Sequence, residues 1–310
     1  MPERVAHGST IRDALTDAGQ RLGAAGLPRP RREATMLWAA VAGAGTKPGD
    51  VWLQQDQLPA VALVERFWRA VERRSSGVPF AYAVGRTGFR TLDLQLDARA
   101  LIPRPETEGL VDLVLRAMRE TLKDSLTVAG NEKRETWGMV ADIGTGCGCI
   151  ALALAVEGAF ERVIAVERSA DAAALARENV ALVRPPVPVE VREGDLLAPL
   201  AGQRYRAIVS NPPYLTEAEH AELDPAVRLF EPREALVSGL DGLTATRALL
   251  AGARALLAPG GFVALEIDER RADAVRALAL RHDWSRVAVY DDLFGRPRFL
   301  LASIDGEGGT

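Results

Sequence analysis

The chain has 310 residues, 48% of them hydrophobic and 26% charged. That composition excludes a disordered or fibrous protein, and the length suits two domains of roughly 150 residues each. No apolar run reaches the roughly 18 residues of a membrane helix, and the opening MPERVAHGST lacks the apolar stretch of a secretion signal. The net charge of −4 offers no overall basic field for a nucleic acid backbone. Residues 1–80 carry 11 Lys and Arg against 8 Asp and Glu, which leaves the remainder at −7. Cys147 and Cys149 are one residue apart, too close for an ordinary disulfide, so a reducing cytoplasm is expected.

In chain order, residues 1–76 read as a small helical bundle. Ser9 or Thr10 is placed to cap a helix with Ile11, Leu15, Ala18 and Leu22 on one face. A second apolar face runs through Ala34, Leu37, Trp38 and Val41 to the Gly43–Gly45 break. A third runs from Val61 through Val71 and stops at Ser75-Ser76-Gly77. Residues 77–100 read as a hairpin connector, with strands at Phe80–Val84 and Leu92–Leu96 around Gly85 and Gly88. After Pro103-Arg104-Pro105 a helix starts near Thr107, and the polar stretch 123–137 reads as a mobile loop.

Residues 101–310 form the second domain. Short apolar strands are expected at 139–143, 162–166, 187–191, 205–210, 262–267, 286–290 and 297–302. Helices are expected between them at about 149–158, 170–182, 242–257 and 269–281. Such alternation means an open, mostly parallel seven-stranded α/β sheet with helices on both faces. Only Asp291–Arg296 separate the last two strands, too few for a crossover helix, so an antiparallel pair is expected at one edge. The tail 305–310 reads as disordered.

Ligands of such sheets sit beyond the carboxyl ends of the strands. The first strand ends in Asp142-Ile143-Gly144-Thr145-Gly146-Cys147-Gly148. This loop reads G-x-G-x-G, with Cys149 where a dinucleotide fingerprint wants its third glycine. The charge of Asp142 is awkward for pyrophosphate but suits a cation, as in the sulfonium and ammonium of S-adenosylmethionine. Glu167, ending the second strand, is placed to accept ribose hydroxyls. Asp195 and Leu196, after the third, offer an acceptor and an apolar wall for adenine. Zinc needs about four ligands, and His7, His220 and His282 lie in unrelated segments, so no metal is expected.

The fourth strand ends in Asn211-Pro212-Pro213-Tyr214. The prolines fix two φ angles and remove two donors. The Asn211 side-chain oxygen and the Pro212 carbonyl can each accept one N–H of a planar amine, and Tyr214 adds a flat face. An amide nitrogen is a poor nucleophile, so positioning is the main catalytic resource. Three readings stay open here: an amino-methyltransferase acting on protein, one acting on DNA adenine or ribosomal RNA guanine, and an NAD-dependent oxidoreductase.

VADIGTGCGCIALALA followed by SNPPY resembles the amino-methyltransferases that act on planar nitrogens. LIPRPETEGLVD, FEPREAL and GLDGLTATRALLAGARALLAPGGFVALEI resemble the HemK-type (PrmC) peptide-chain release factor N5-glutamine methyltransferases. The resemblance covers the whole chain. It implies a Rossmann-like S-adenosylmethionine-dependent fold behind a small helical domain. The lack of a catalytic motif in that domain, together with its weak positive lean, leads us to expect that it contacts the release factor. The resemblance also implies methyl transfer to the glutamine of the GGQ loop, with S-adenosylhomocysteine as product. Gly144, Thr145, Gly146, Cys147 and Gly148 would surround the methionine part of the cofactor, Glu167 the ribose, and Asp195 and Leu196 the adenine. Asn211 through Tyr214 would hold the amide, with Arg104 and Glu106 as substrate-side candidates. A monomer is expected, with neither nucleic acid nor membrane as a partner.

Overall fold

The computed structural model describes residues 9–43, 45–126 and 136–305. The chain divides into two compact units. One comprises the chain through Arg86 together with Pro225–Phe230, the other Thr87–Asp224 and the residues from Glu231 onward. The boundary thus follows Arg86 rather than Ser76, where the sequence places it.

In the first unit, α1 (Ile11–Ala24) starts at Thr10 in a capping box. The Asp13 N–H donates to Thr10 Oγ1 at 3.2 Å, and the Thr10 N–H donates to Asp13 Oδ2 at 2.9 Å, satisfying two otherwise unpaired helix-end donors. Pro30 opens α2 (Pro30–Ala42), and α4 (Val61–Ser75) follows the short α3 (Pro48–Leu53). The expected apolar faces meet: Leu22, Leu37, Phe67 and Val71 are fully buried, and Trp38 packs edge-on to Phe67 at 4.7 Å. Helix α3 escapes the sequence reading because six residues are too few to show a helical period.

Phe80–Val84 is a helix, α5, and not the expected strand. Its alternation of large and small residues imitates a strand, but Pro79 sets the first turn. The Ala83 N–H donates to the Pro79 carbonyl at 2.8 Å, and the Gly85 N–H to that of Ala81 at 2.8 Å. Gly85, at φ +81, stops the helix. Phe80 and Val84 pack on the bundle core, which is why the unit extends to Arg86. The hairpin strands are β1 (Arg86–Phe89) and β2 (Leu92–Gln95).

In the second unit α6 runs Thr107–Leu126. It therefore takes in the first four residues expected to be loop, and most of the remaining loop lies outside the described residues, as does nearly all of the tail. The strands β3 (Met139–Ile143), β4 (Arg162–Glu167), β5 (Val189–Glu193), β6 (Tyr205–Ser210), β7 (Leu257–Glu266), β8 (Arg286–Asp291) and β9 (Pro297–Ser303) form one sheet of order β5-β4-β3-β6-β7-β9-β8. Five are parallel, and β9, the last in sequence, lies antiparallel between β7 and the edge strand β8. The helices α7 (Cys149–Glu157), α8 (Ala170–Val183), α11 (Thr244–Gly252) and α12 (Ala272–Arg281) connect the strands. Between β6 and α11 lie two short helices that the sequence does not reveal, α9 (Glu217–Ala221) and α10 (Pro225–Phe230).

The two faces of β3 separate by the two-residue period of a strand. Ala141 and Ile143 join a core with Leu249, Leu250, Val275 and Leu278 of α11 and α12. Asp142, between them, faces α7 and accepts from the Ala151 N–H at 3.1 Å. From β3 the chain builds outward to β4 and β5, then returns to place β6 on the other side of β3. That reversal opens a crevice at the carboxyl ends of β3 and β6, where Ile143 and Ser210 stand opposite each other in register.

Candidate active site

A cavity of about 330 Å³ lies at this crevice. Gly144, Gly146, Glu167, Asp195, Leu196, Asn211 and Pro213 line it, so four separate strand ends contribute residues expected from the sequence. Gly144 has φ +71, and a Cβ there would enter open space with no heavy atom within 4 Å. The backbone is thus bare toward the cavity where a ligand can approach closely. Glu167 is held by two backbone donors, accepting from the Gly146 N–H and the Ser169 N–H, each at 2.9 Å. A carboxylate has about four lone-pair sites, so two such bonds orient it while leaving capacity for a ligand hydroxyl.

Asp142, Thr145, Cys147 and Gly148 stand outside this lining. Asp142 is fully buried; its Oδ2 accepts from Thr145 Oγ1 at 2.6 Å, while its Oδ1 has no hydrogen-bond partner among the described residues. Burial pushes its carboxyl up to about 7, against the pull of the Thr145 and Ala151 bonds and with a small push from the Glu167 charge. The Cys147 carbonyl accepts from Asn179 Nδ2 at 2.9 Å. The side chain of Cys147 and burial raise the Cys149 thiol well above its ordinary range, so Cys149 is not an activated nucleophile.

Asn211 Nδ2 donates to Thr107 Oγ1 at 3.2 Å, and Thr107 Oγ1 donates to Glu266 Oε2 at 2.8 Å. Pro212 is buried. The backbone beyond it is tied down: the N–H groups of Tyr214 and Leu215 donate to the Leu236 carbonyl at 3.2 and 2.9 Å. Burial, helped by the Glu266 charge, pushes the Tyr214 phenol up to about 12, so it stays protonated. Arg104 donates to Glu231 at 2.7 Å, and Glu231 also accepts from the Ile102 N–H at 3.2 Å. Glu106 pairs with Arg296 at 3.6 Å. The sequence reading does not find Thr107, Glu231 or Glu266. Glu266 nevertheless carries the same sign as Glu167, an acid closing an apolar strand.

Two family models match the chain: "Methyltransferase small domain" over residues 125–239 and "PrmC N-terminal domain" over residues 13–85. The chain is 40% identical over 296 residues to the release factor glutamine methyltransferase of Moorella thermoacetica, covering 94% of this chain and 98% of the relative. The chain belongs to the release factor glutamine methyltransferase family. The relatives of that name from Deinococcus radiodurans, at 39% identity over 94% of this chain and 98% of theirs, and Streptomyces coelicolor, at 36% over 93% and 96%, agree along nearly the full length. Among solved structures, the hMettl16 catalytic domain in complex with MAT2A 3'UTR hairpin 6 aligns with a TM-score of 0.53 at 15% identity, covering 79% of this chain and 82% of that one. That likeness concerns the fold alone.

The cofactor of this methyltransferase is S-adenosylmethionine, and the residues present fit it. The open space beside Gly144 admits a ligand against bare backbone. Glu167 and Asp195 put two carboxylates on the cavity wall, and the unpartnered Asp142 Oδ1 lies at the end of the adjoining strand. Acid at the wall and beneath the loop suits a nucleoside that carries a sulfonium and an ammonium. Among the described residues no helix is long and apolar enough to cross a membrane.

Proposed function

We propose that the chain methylates the side-chain nitrogen of the glutamine in the GGQ loop of a peptide-chain release factor, giving N5-methylglutamine and S-adenosylhomocysteine. The observation that carries this reading is Asn211, on the wall of the cavity and beside the glycine loop through the β3–β6 pairing. S-adenosylmethionine supplies, when bound, a methyl group made electrophilic by its sulfonium. Glu167 holds the ribose hydroxyls, Asp195 and Leu196 border the adenine, and Gly144 and Gly146 leave room for the methionine part. Thr145, Cys147 and Gly148 support that loop from behind, and Asp142 balances the cationic charge.

Asn211 Oδ1 and the Pro212 carbonyl each accept one amide N–H, and the rigid Pro212-Pro213 turn with Tyr214 keeps the amide plane fixed. Positioning of this kind is worth up to about 7–11 kcal/mol in effective molarity. The two acceptors also spread the positive charge that develops on nitrogen, which stabilises the transition state. The N–H then leaves to solvent, because an alkylated amide nitrogen is strongly acidic and needs no dedicated base. Arg104 and Glu106 act one step removed: their ion pairs anchor the segment that leads into α6 and Thr107.

The N-terminal unit contacts the release factor. Its support is that the unit carries no residue of the cavity and that Trp52, Leu53 and Leu58 are strongly exposed there. The reaction takes place in the cytoplasm and the enzyme works as a monomer without binding nucleic acid. One assay tests the reading: labelled methyl transfer to a purified release factor, to its loop Gln→Ala mutant, to DNA and to ribosomes. Label on the intact factor alone is expected. Label on DNA or ribosomes, with none on the factor, would transfer the chemistry to a nucleobase.

A further inference from the structure

We propose that Thr107 and Glu266 are positioning residues that lock the Asn211 side chain with its oxygen toward the substrate amide. The inference deepens the proposed function and rests on it. An asparagine amide is nearly symmetric in shape, and a half-turn exchanges its acceptor for two donors. Facing a substrate –NH2, only the oxygen-forward form bonds; the flipped form sets donor against donor. Something in the protein must therefore choose.

The chain of bonds from Asn211 makes that choice. Thr107 and Glu266 are each 2% exposed, so water does not supply alternative partners. An ionised Glu266 can only accept, and the single hydroxyl proton of Thr107 is committed to it at 2.8 Å. Thr107 Oγ1 then presents only lone pairs to Asn211. The group that meets it must be the donor Nδ2, found at 3.2 Å, and Oδ1 is left for the cavity side. The three residues come from the start of α6, the end of β6 and the end of β7, so the device is assembled by the fold.

The lock depends on the charge of Glu266. Burial pushes its carboxyl up to about 7, against Thr107, which pulls it down. The titratable groups around it are Arg298 on β9, Arg104 and Glu106 before α6, and Tyr214 after β6. Tyr214, near 12, stays neutral across this range. Once protonated, Glu266 can donate to Thr107, which frees the hydroxyl to donate to Asn211 Oδ1 and favours the flipped amide. Turnover then falls as pH drops through about 7 and is restored as it rises.

The test uses the full-length enzyme and intact release factor, with kcat, KM and cofactor affinity measured from about pH 5.5 to about 9. Thr107→Val keeps the shape and removes both bonds. Its kcat is expected to fall roughly tenfold or more at pH 8, with KM and cofactor affinity within about twofold, because only the transition-state contact is disturbed. Thr107→Ser should recover most of the loss. Glu266→Gln carries no charge and can turn its amide N–H toward Thr107 at every pH, so its turnover at pH 8 should fall toward the parent's low-pH level and its acid limb should disappear. Asp142 titrates in the same range, so it is the change in profile on substitution that assigns the limb. A kcat for Thr107→Val within twofold of the parent, a Thr107→Ser as impaired as the valine, or an unchanged acid limb in Glu266→Gln would overturn the proposal while leaving the substrate reading intact. Should Thr107→Val fail to fold in a thermal melt, the Glu266→Gln profile decides alone. A parent enzyme that leaves the release factor unlabelled overturns both.

Discussion

In the function we propose, Asn211 is the residue on which the chemistry turns, because an amide nitrogen gains reactivity from placement more than from activation. Removing its side chain leaves the cavity wall formed by Gly144, Glu167 and Asp195 in place. Asn211→Ala is therefore expected to lower kcat by roughly 10²–10³ while cofactor affinity changes little; steady-state rates and calorimetric titration separate the two. Turnover within threefold of the parent would remove Asn211 from its role. Asp142 makes a second, independent prediction. Its folded carboxyl near 7 lies above the ordinary value of 3.8. Its contribution to stability is thus complete below about pH 4 and lost as pH rises through about 7. Asp142→Asn is uncharged throughout, so the melting temperature of the parent should fall relative to the variant between about pH 4 and about pH 8. Parallel curves would mean that Asp142 does not titrate in this window.

At the level of elements, the site depends on how closely the segment after β6 is held. Leu215 and Val237 form an isolated bridge, and the Ser238 N–H donates to the Leu215 carbonyl at 2.8 Å. Behind them Gly242, at φ +74, approaches so closely that a Cβ would lie 2.3 Å from the Tyr214 carbonyl oxygen. That neighbour is backbone and cannot rotate away. Gly242→Ala is expected to cost roughly 1–3 kcal/mol in urea unfolding through strain and the forced shift. The same shift should lower kcat by displacing the Asn211–Tyr214 turn. A variant with parental stability and rate would show that the contact relaxes without consequence. The FEPREAL stretch acquires a physical role at this scale as well: Glu231 is buried and accepts from both Arg104 and the Ile102 backbone. It thereby anchors the IPRPETE segment from which Thr107 emerges.

For the whole molecule, the two units divide charge as well as structure: the first carries a net charge of +5 and the second −9. The cavity lies wholly in the second unit, so the first is free to act in recognition. Trp52 and Leu53 on α3 are 66% and 73% exposed, and large exposed apolar groups of this kind are common at partner contacts. Replacing both with alanine should raise KM for the intact release factor by roughly tenfold, since aromatic anchors commonly contribute about 2 kcal/mol or more. Rates with a short GGQ-loop peptide and cofactor affinity should stay unchanged. An unaltered KM would assign recognition elsewhere.

Much of this protein is written in short-range pattern. The alternation of strand and helix from Val140 onward, the glycine loop and the Asn211-Pro212-Pro213-Tyr214 turn are all legible because period, φ restriction and strand-end position act within a few residues. The same locality misleads at Phe80–Val84, where side-chain size alternates as in a strand but Pro79 and two backbone bonds wind the segment into a helix. It is silent about α3, too short to show a period. What folding alone decides is which distant groups meet. Thr107 and Glu266 are 159 positions apart, and Arg104 and Glu231 are 127 apart. No spacing in the chain announces either pair. They come together because β6 returns beside β3, β7 follows, and the start of α6 lies over their carboxyl ends. The Asn211 turn is thus local information, whereas the partners its side chain meets depend on sheet order and register.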